Sequence, residues 1–198
     1  MILSNTALFA ALDDGRLRID PEPHPRLVEM GGSESPFGSS AVDLTLGASL
    51  RIPVENLSVV LDPSSGNATS TLRTLYSTQS IDPAQGYILK PGRFLLGNTA
   101  EVVTLPLPLS PESSPGPWLA ARVEGRSSLA RMGLLVHFTA PTIHAGFSGN
   151  ITLEMMNLGP APILLQAGMR ICQLIVEEVS GTPSANPSQF QGQRDPTG

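Results

Sequence analysis

The chain has 198 residues, of which 40% are apolar and 15% are charged, and its formal net charge is −5. This length and composition predict one globular domain with a sizeable core. The negative charge and the scattered basic residues argue against nucleic-acid binding, and no apolar run approaches the roughly eighteen residues of a membrane span.

Targeting signals and metal-binding patterns are also missing from the sequence. Residues 1–5 show no basic region followed by an apolar one, so we predict no signal peptide and a cytoplasmic location. The single cysteine, Cys172, lies in a strand-like apolar run, which predicts a buried, inert thiol. With only three histidines beside it, we predict neither a structural zinc site nor the His/Cys/Cys zinc site of common nucleobase deaminases.

The N-terminal part of the chain predicts one clear helix followed by strands. The helix covers residues 4–17, with Ser4 or Asn5 as its cap and Gly15 after its apolar stripe. A proline-rich connector at 21–25 comes next. Alternating residues at 41–46 then predict a half-buried strand, and a second short strand follows over 48–52.

Two stretches rich in Ser and Pro interrupt the strand pattern. We interpret 62–80 as a surface excursion, and 105–117, which contains five prolines, as irregular. Between them, residues 87–98 have the form of a strand, a Pro-Gly turn and a strand, and 101–105 continue as a strand.

The C-terminal part adds further strands and a polar tail. Strands are predicted at 161–165 and 169–179, with a turn at 166–168. Many short strands and one helix indicate an all-β fold, a sandwich or distorted, jelly-roll-like barrel, over residues 1–180. The tail 181–198 is predicted to be flexible.

The stretch 118–157 carries the residues with chemical potential. Gly125-Arg126-Ser127-Ser128 combines a glycine, a guanidinium and two hydroxyls, and Arg131 follows three residues later. Glycine lets the backbone come close to a ligand, and the guanidinium suits a bidentate grip on phosphate. The turn-rich loop 139–149 then leads into a further strand.

That strand, residues 150–156, carries one carboxylate among apolar neighbours. Alternation places Ile151, Leu153 and Met155 on one face, and Thr152, Glu154 and Met156 on the other. Partial desolvation raises the pKa of a carboxyl group, so we predict for Glu154 a raised pKa that suits a general base.

Each of these patterns has an ordinary interpretation when it is taken alone. An Arg-Ser-Ser triplet is commonly a surface turn, and a strand glutamate is commonly solvated. Within about thirty residues of each other, they favour a phosphate grip beside a proton-transfer group.

At Gly125 to Leu134 and on to Glu154, the sequence closely resembles the dCTP deaminases of the dUTPase superfamily. The resemblance covers nearly the whole chain. Its supporting segments are the first helix at 6–17, the strand at 40–47, the "Y-x-L-x-P-G-x-F-x-L-x" hairpin at 87–97, and Phe190 to Gln193, which is similar to the family tail "K-Y-Q-G-Q".

The resemblance implies a dUTPase-type β fold assembled as a homotrimer with active sites at subunit contacts. It implies hydrolysis of dCTP to dUTP and ammonia, with Mg²⁺ held by the triphosphate. The nucleotides dCTP, dUTP and dTTP are the implied partners. Glu154 would be the proton shuttle, Ser127 would orient the water or the base, and Arg131 would support Glu154.

The same resemblance implies a set of substrate-binding residues. Arg126 and Ser128 would bind phosphate, the backbone of Thr152 and Leu153 would contact the base, and Gln193 would close the tail over the triphosphate. The implied set also includes Leu129, Ala130, His144 and Gln189.

Three positions depart from the family pattern. His144 replaces the aspartate of "I-D-x-G-F/W-x-G", which contacts the sugar and in dUTPases activates water. Gln189 replaces the tail lysine, and Ser184 is nearest to the position of a tail tyrosine. These departures leave open a non-catalytic nucleotide-binding or regulatory homologue. A bifunctional deaminase–diphosphatase is also open, although it relies on the missing aspartate.

His137 lies in a strand-like run beside the predicted site. Two interpretations remain open for it: a part in the response to end-product nucleotides, or a hydrogen-bonded core histidine.

Overall fold

The structure, a computed structural model, describes residues 1–28, 32, 34–62, 64, 68–107, 116–185, 192 and 194–196, without the side chains of residues 68–70. Gln189 and Gln193, which belong to the implied substrate-binding set, lie outside the described residues. Most of the predicted irregular segment 105–117 lies outside them as well.

Strands dominate the described chain. The helices are α1 (Asn5–Asp13), α2 (Ala68–Leu75) and α3 (Ser127–Arg131). The strands are β1 (Arg18–Asp20), β2 (Val42–Thr45), β3 (Ser49–Pro53), β4 (Tyr76–Ser80), β5 (Tyr87–Leu89), β6 (Phe94–Thr104), β7 (Trp118–Gly125), β8 (Leu134–Val136), β9 (Thr142–Ile143), β10 (Ser148–Asn157), β11 (Ile163–Leu165) and β12 (Arg170–Val179). This architecture confirms the predicted all-β class.

The strands form three antiparallel sheets. The first has the order β4-β3-β6-β10-β8, with β1 also paired to β6. The second has the order β2-β12-β7-β9, and the third pairs β11 with β5. One cluster of buried apolar side chains fills the core, and it includes residues from all three sheets.

Buried polar side chains fix where β10 meets its neighbours. The Asn150 side-chain amide donates to the carbonyl oxygens of Thr99 (2.9 Å) and Glu101 (3.1 Å), where the β10–β6 register shifts. The buried Glu101 carboxylate accepts hydrogen bonds from the backbone N–H and the hydroxyl of Thr45 at the end of β2. Because buried polar groups need partners, this network holds β10 in a single register.

The N-terminal helix is confirmed but is shorter than predicted. Ser4 caps it by accepting a hydrogen bond from the Ala7 N–H (3.3 Å), and the helix ends at Asp13. Asp14 is its C-cap, and Gly15 follows in the left-handed region at φ +79°. The predicted residues 14–17 therefore lie beyond the last helical turn.

Treating residues 62–80 as a surface excursion was wrong for most of that segment. Residues 68–75 form helix α2, and Tyr76–Ser80 form strand β4, which pairs with β3 along its whole length. The strand lies at the sheet edge and is mostly exposed, so its polar Ser and Thr side chains do not show the alternation of a half-buried strand. The prediction of one helix was also wrong, because α2 and α3 are present as well. Both of these helices are short and polar.

The predicted hairpin at residues 87–98 is a turn between two sheets. β5 pairs with β11, whereas β6 pairs with β1, β3 and β10. Gly92, at φ +71°, donates its N–H to the Asn157 carbonyl (2.8 Å), and the Asn157 side chain donates to the Leu89 carbonyl (3.0 Å). These bonds tie the turn to the end of β10, so its two strands separate.

Within the described residues, no helix is long and apolar enough to cross a membrane. Cys172 is fully buried, and burial raises the pKa of its thiol, as expected for an inert core cysteine.

The turn between α3 and β8 contains a close backbone crossing, which generates a stability prediction. A Cβ at Gly133, at φ +91°, would lie 2.3 Å from the Gly159 Cα, whereas one at Gly168, at φ +79°, would meet nothing within 4 Å. We expect Gly168→Ala to lower the free energy of unfolding by about 1–2 kcal/mol through backbone strain alone. Gly133→Ala should lower it by a further ~1–3 kcal/mol through the clash.

Urea denaturation of both variants measures the two effects separately. Equal losses of stability in the two variants would mean that the crossing relaxes around the added methyl group.

Candidate active site

Glu154 lies in the middle of β10, on the partly exposed face of the largest sheet. Ile151, Leu153 and Met155 are buried, whereas Thr152 and Glu154 are partly exposed, so the predicted alternation is confirmed. The Glu154 side chain is 31% exposed. It is therefore half-shielded and still open to solvent on one side.

His137 is the closest ionisable partner of Glu154. Its Nδ1 lies 2.8 Å from the Glu154 Oε2, although the two atoms do not have the alignment of a hydrogen bond. The His137 backbone N–H also donates to the Glu154 carbonyl (2.7 Å), which extends the pairing of β8 with β10. The His137 backbone is left-handed, at φ +64°, which turns the imidazole back towards the strand.

The second ring nitrogen of His137 limits where the protons can be. Its Nε2 lies 2.7 Å from the Ala140 carbonyl oxygen, which can only accept a hydrogen bond. Nε2 must therefore carry a proton. The short contact between Nδ1 and Oε2 then requires one further proton, because a neutral nitrogen lone pair would repel a carboxylate. The pair holds this proton either on His137 or on Glu154.

The predicted rise in the pKa of Glu154 is wrong. Burial does raise the pKa of this carboxyl group, but the neighbouring imidazole and the backbone N–H of Phe138 lower it by more. The result is a pKa below the usual range, so Glu154 is ionised at neutral pH. Burial alone would lower the pKa of His137, yet its contacts with Glu154 and the Ala140 carbonyl hold that pKa above the ordinary value. Sequence reasoning considered burial and missed the partner.

Three aromatic residues belong to the surroundings of this pair. Phe94 on β6 and Phe138 next to His137 make an edge-to-face contact, with ring centroids 5.7 Å apart. Tyr76 on β4 is close enough that the charge of Glu154 adds to burial in raising the pKa of its phenol. Aromatic rings near a carboxylate offer surfaces on which a planar heterocycle can stack.

Arg126 is the only member of the predicted phosphate grip that has an ionic partner among the described residues. It precedes α3, and its Nη2 lies 3.2 Å from the Asp43 Oδ2 on β2. The Asp43 carboxylate also accepts a hydrogen bond from Gln173 (3.1 Å) and lies 3.7 Å from Arg170. We expected a half-buried strand at 41–46, but residues 42–44 are all buried, so Asp43 is a buried anion that holds Arg126 in place.

The other residues of the predicted grip face solvent. Ser127, Ser128, Ala130 and Arg131 are exposed on α3, and Leu129 packs into the core. The side chains of Ser127, Ser128 and Arg131 form no hydrogen bond or ion pair with the described part of the chain. Their polar groups are thus available to a ligand or to another subunit.

Gly125 lies just before this grip. A Cβ there would make only ordinary contacts, the nearest with the Val136 carbonyl oxygen at 3.6 Å. Packing within the described residues therefore does not require a glycine at this position.

The structure does not join the grip to Glu154 within the described residues of one chain. Glu154 contacts His137 and backbone groups, and no described contact links it to Ser127 or Arg131. Thr152 and Leu153 lie opposite Asn98 and Gly97 of β6, and His144 is exposed in the loop before β10. Among the described residues, no group of three or more His, Cys, Asp or Glu side chains is placed to hold a metal ion.

Comparisons with known proteins agree on one family. The model of the dCTP deaminase-like family matches residues 2–179. A protein named dCTP deaminase from Rhodospirillum rubrum is 37% identical over 94% of this chain and 87% of its own. Another from Thermobifida fusca, named dCTP deaminase, dUMP-forming, is 38% identical over 100% of this chain and 91% of its own.

This chain belongs to the dCTP deaminase-like family. The crystal structure of 2'-deoxycytidine 5'-triphosphate deaminase from Agrobacterium tumefaciens has the same fold, with a TM-score of 0.58 and 19% identity. That match covers 90% of this chain and 48% of the other, so this chain spans about half the length of that protein.

Two residues contact the predicted site residues in ways that the sequence interpretation did not foresee. Asp43 stands next to Leu44 in a strand segment that the resemblance already included, but a buried carboxylate there was not expected. His137 was noticed without a partner, because its contact with Glu154 depends on how β8 pairs with β10. The left-handed backbone at His137 was not visible in the sequence.

The His137–Glu154 pair makes stability depend on pH, because the pKa of His137 is raised and that of Glu154 is lowered. Its stabilising effect is fully present between the ordinary values of about 4.3 and 6.5. That effect is lost as pH rises through the raised pKa of His137, and as pH falls through the lowered pKa of Glu154.

We therefore expect the difference in Tm between the native protein and His137→Gln to be largest between about pH 4.5 and 6.5. Thermal denaturation from pH 4 to 9 measures it, with His24→Gln as the control because His24 is exposed. A difference that did not vary with pH would contradict the ion pair.

Proposed function

We propose that this protein deaminates dCTP hydrolytically to dUTP and ammonia, without zinc, with Glu154 as the proton shuttle. The observation that carries this proposal is a half-shielded carboxylate that His137 keeps ionised, with aromatic residues nearby. The names of the relatives support the choice of dCTP as substrate.

Each step of the reaction has a role for the carboxylate. Water adds to the amino-bearing carbon of cytosine, and ionised Glu154 takes one of its protons as the C–O bond forms. Glu154 then returns that proton to the ring nitrogen. A second transfer, from the new hydroxyl through Glu154 to the amino nitrogen, lets ammonia leave as the carbonyl forms. The lowered pKa keeps the carboxylate ready to accept the first proton.

His137 would act on this chemistry through Glu154. A cationic imidazole beside the carboxylate holds it in one orientation and stabilises its charged form. The 2.8 Å contact holds the imidazole beside the carboxylate before substrate arrives. We therefore assign His137 as a positioning residue.

The triphosphate would be bound by the segment that begins at Gly125. Arg126 is held by Asp43, and the exposed hydroxyls of Ser127 and Ser128 and the guanidinium of Arg131 can donate to phosphate oxygens. Glycine at 125 allows the backbone to approach the ligand closely. Mg²⁺ would neutralise phosphate charge while bound mainly by phosphate oxygens and water.

We further propose that the active site is shared between subunits of a homotrimer. Glu154 and the grip from Arg126 to Arg131 have to meet one dCTP, and no described contact joins them within a chain. A second copy that supplies the grip would complete the site. This also accounts for exposed donors on α3 that have no partner among the described residues.

Formation of dUMP is the second candidate reaction, because several relatives carry the name dUMP-forming. It requires a group that activates water for attack on phosphorus. His144 stands where the family has an aspartate, and a histidine is not a permanently anionic acceptor. We therefore favour dUTP as the product.

The reaction is tested by incubating the protein with dCTP and Mg²⁺ and separating dCTP, dUTP and dUMP by ion exchange. We expect dUTP from the native protein. Glu154→Gln should reduce kcat by at least ~10²-fold while the fold is kept, because proton transfer contributes that much.

Glu178→Gln on β12 is the matched control and should keep native activity. Accumulation of dUMP would support the bifunctional alternative. The absence of both products would favour a non-catalytic nucleotide-binding protein.

Sharing of the active site is tested by mixing two inactive variants. Glu154→Gln and Arg131→Ala are refolded together, so that mixed trimers contain some sites with both native residues. We expect the mixture to recover on the order of a tenth or more of the native activity, since catalysis needs one intact site. Continued inactivity of a mixture shown by mass spectrometry to contain mixed trimers would place the whole site within one chain.

A further inference from the structure

A row of side chains crosses the sheet face that carries Glu154. Glu154 on β10 is opposite Leu96 on β6, Leu96 is opposite Arg51 on β3, and Arg51 is opposite Thr78 on β4. Directly opposed residues in antiparallel strands point to the same face. With strands about 4.8 Å apart, the Cα atoms of Arg51 and Glu154 are roughly 10 Å apart.

The C-terminal segment, by which we mean the described residues 192 and 194–196, is attached to this row through Arg51. The Arg51 Nε donates to the Asp195 Oδ1 (3.1 Å), and its Nη2 donates to the Asp195 Oδ2. Nη1 of the same guanidinium contacts the Thr78 hydroxyl. The fork of Arg51 thus grips both oxygens of one carboxylate and is itself oriented by β4.

Two further contacts fix the same segment. The Gly192 N–H donates to the Ser148 carbonyl oxygen (2.9 Å) at the start of β10, and Pro196 is buried. The segment is therefore attached to β10 at one point and to β3 at another.

The Arg51–Asp195 pair is more shielded than an ordinary surface pair. Its side chains are 20% and 34% exposed, whereas those of the Arg93–Glu55 pair are 62% and 67% exposed. Solvent screens the second pair much more strongly.

We propose that Arg51 and Asp195 are a positioning pair that holds the C-terminal segment on the sheet face beside Glu154. Ordering a chain terminus costs conformational entropy, and a bidentate ion pair on a rigid strand offsets that cost. The segment is then already in place when nucleotide binds. This role in nucleotide binding rests on the proposed function, but the attachment itself does not.

Trypsin cleavage after Arg194 measures the attachment directly, since release of residues 195–198 is visible by intact-mass spectrometry. In the full-length protein, Arg51→Gln leaves the sequence of the tail unchanged. It should speed this cleavage by about fivefold or more, because cleavage follows the population of the detached segment. Arg93→Gln is the matched control and should leave the rate unchanged. High salt should speed cleavage of the native protein and have less effect on Arg51→Gln.

Kinetics then test the consequence for nucleotide. Asp195→Asn and Arg51→Gln should each raise KM for dCTP by about three- to tenfold with kcat within about twofold, because the lost contact affects binding rather than proton transfer. The exchanged pair Arg51→Glu with Asp195→Arg should recover part of the native KM.

Cleavage of Arg51→Gln at the native rate would overturn the proposal. Faster cleavage of Arg51→Gln together with a native KM for dCTP would confine the pair to a structural role. That result would also contradict the proposal. If the native protein does not turn over dCTP at all, the proposed function fails. The cleavage rates still show whether Arg51 holds the C-terminal segment on the sheet.

Discussion

The contact between His137 and Glu154 is the interaction on which the site depends. A carboxylate on an apolar strand would tend to be protonated, and a buried imidazole would tend to be neutral. At 2.8 Å each reverses the tendency of the other, so that the carboxylate is ionised, as the proposed general base has to be. The geometry is rigid, because the His137 main chain is itself bonded to Glu154 and its second nitrogen to Ala140.

The rest of the fold keeps these two residues in register. Asn150 and Asn157 anchor the two halves of β10 through their side-chain amides, one to the carbonyls of β6 and the other to the turn after β5. A slip of one residue would exchange Glu154 for a core residue. The proposed chemistry therefore requires the polar network as much as the fold does. Asp43 has a similar part on the other sheet, where it holds Arg126 beside α3.

Local patterns in the sequence predicted the features that local physics decides. Ser4 caps its helix, and the alternation in β10 gives the burial of residues 151–156 as expected. Strand pairing was harder, because it depends on residues far apart in the chain. The strands on either side of the Pro91-Gly92 turn look like a hairpin but join different sheets, and the polar strand β4 has no apolar alternation to reveal it.

The chemistry of the site was likewise predicted in part. The resemblance identified Glu154 and the Arg126–Arg131 segment, and the family comparison agrees with that assignment of the chain. The direction of the pKa shift of Glu154 could not be derived from its own strand, since it is set by His137, which lies just after β8. Burial of Asp43 depends in the same way on contacts with Arg126 and Arg170, which no spacing along the chain reveals.

Protonation of the two residues can be measured directly by NMR, from the side-chain carboxyl carbon of Glu154 and the ring nitrogens of His137 over a range of pH. The account predicts that Glu154 titrates below the ordinary value of about 4.3, and that His137 keeps both ring protons beyond about pH 6.5. A Glu154 carboxyl group that took up its proton above its ordinary pKa, beside a neutral His137, would contradict it.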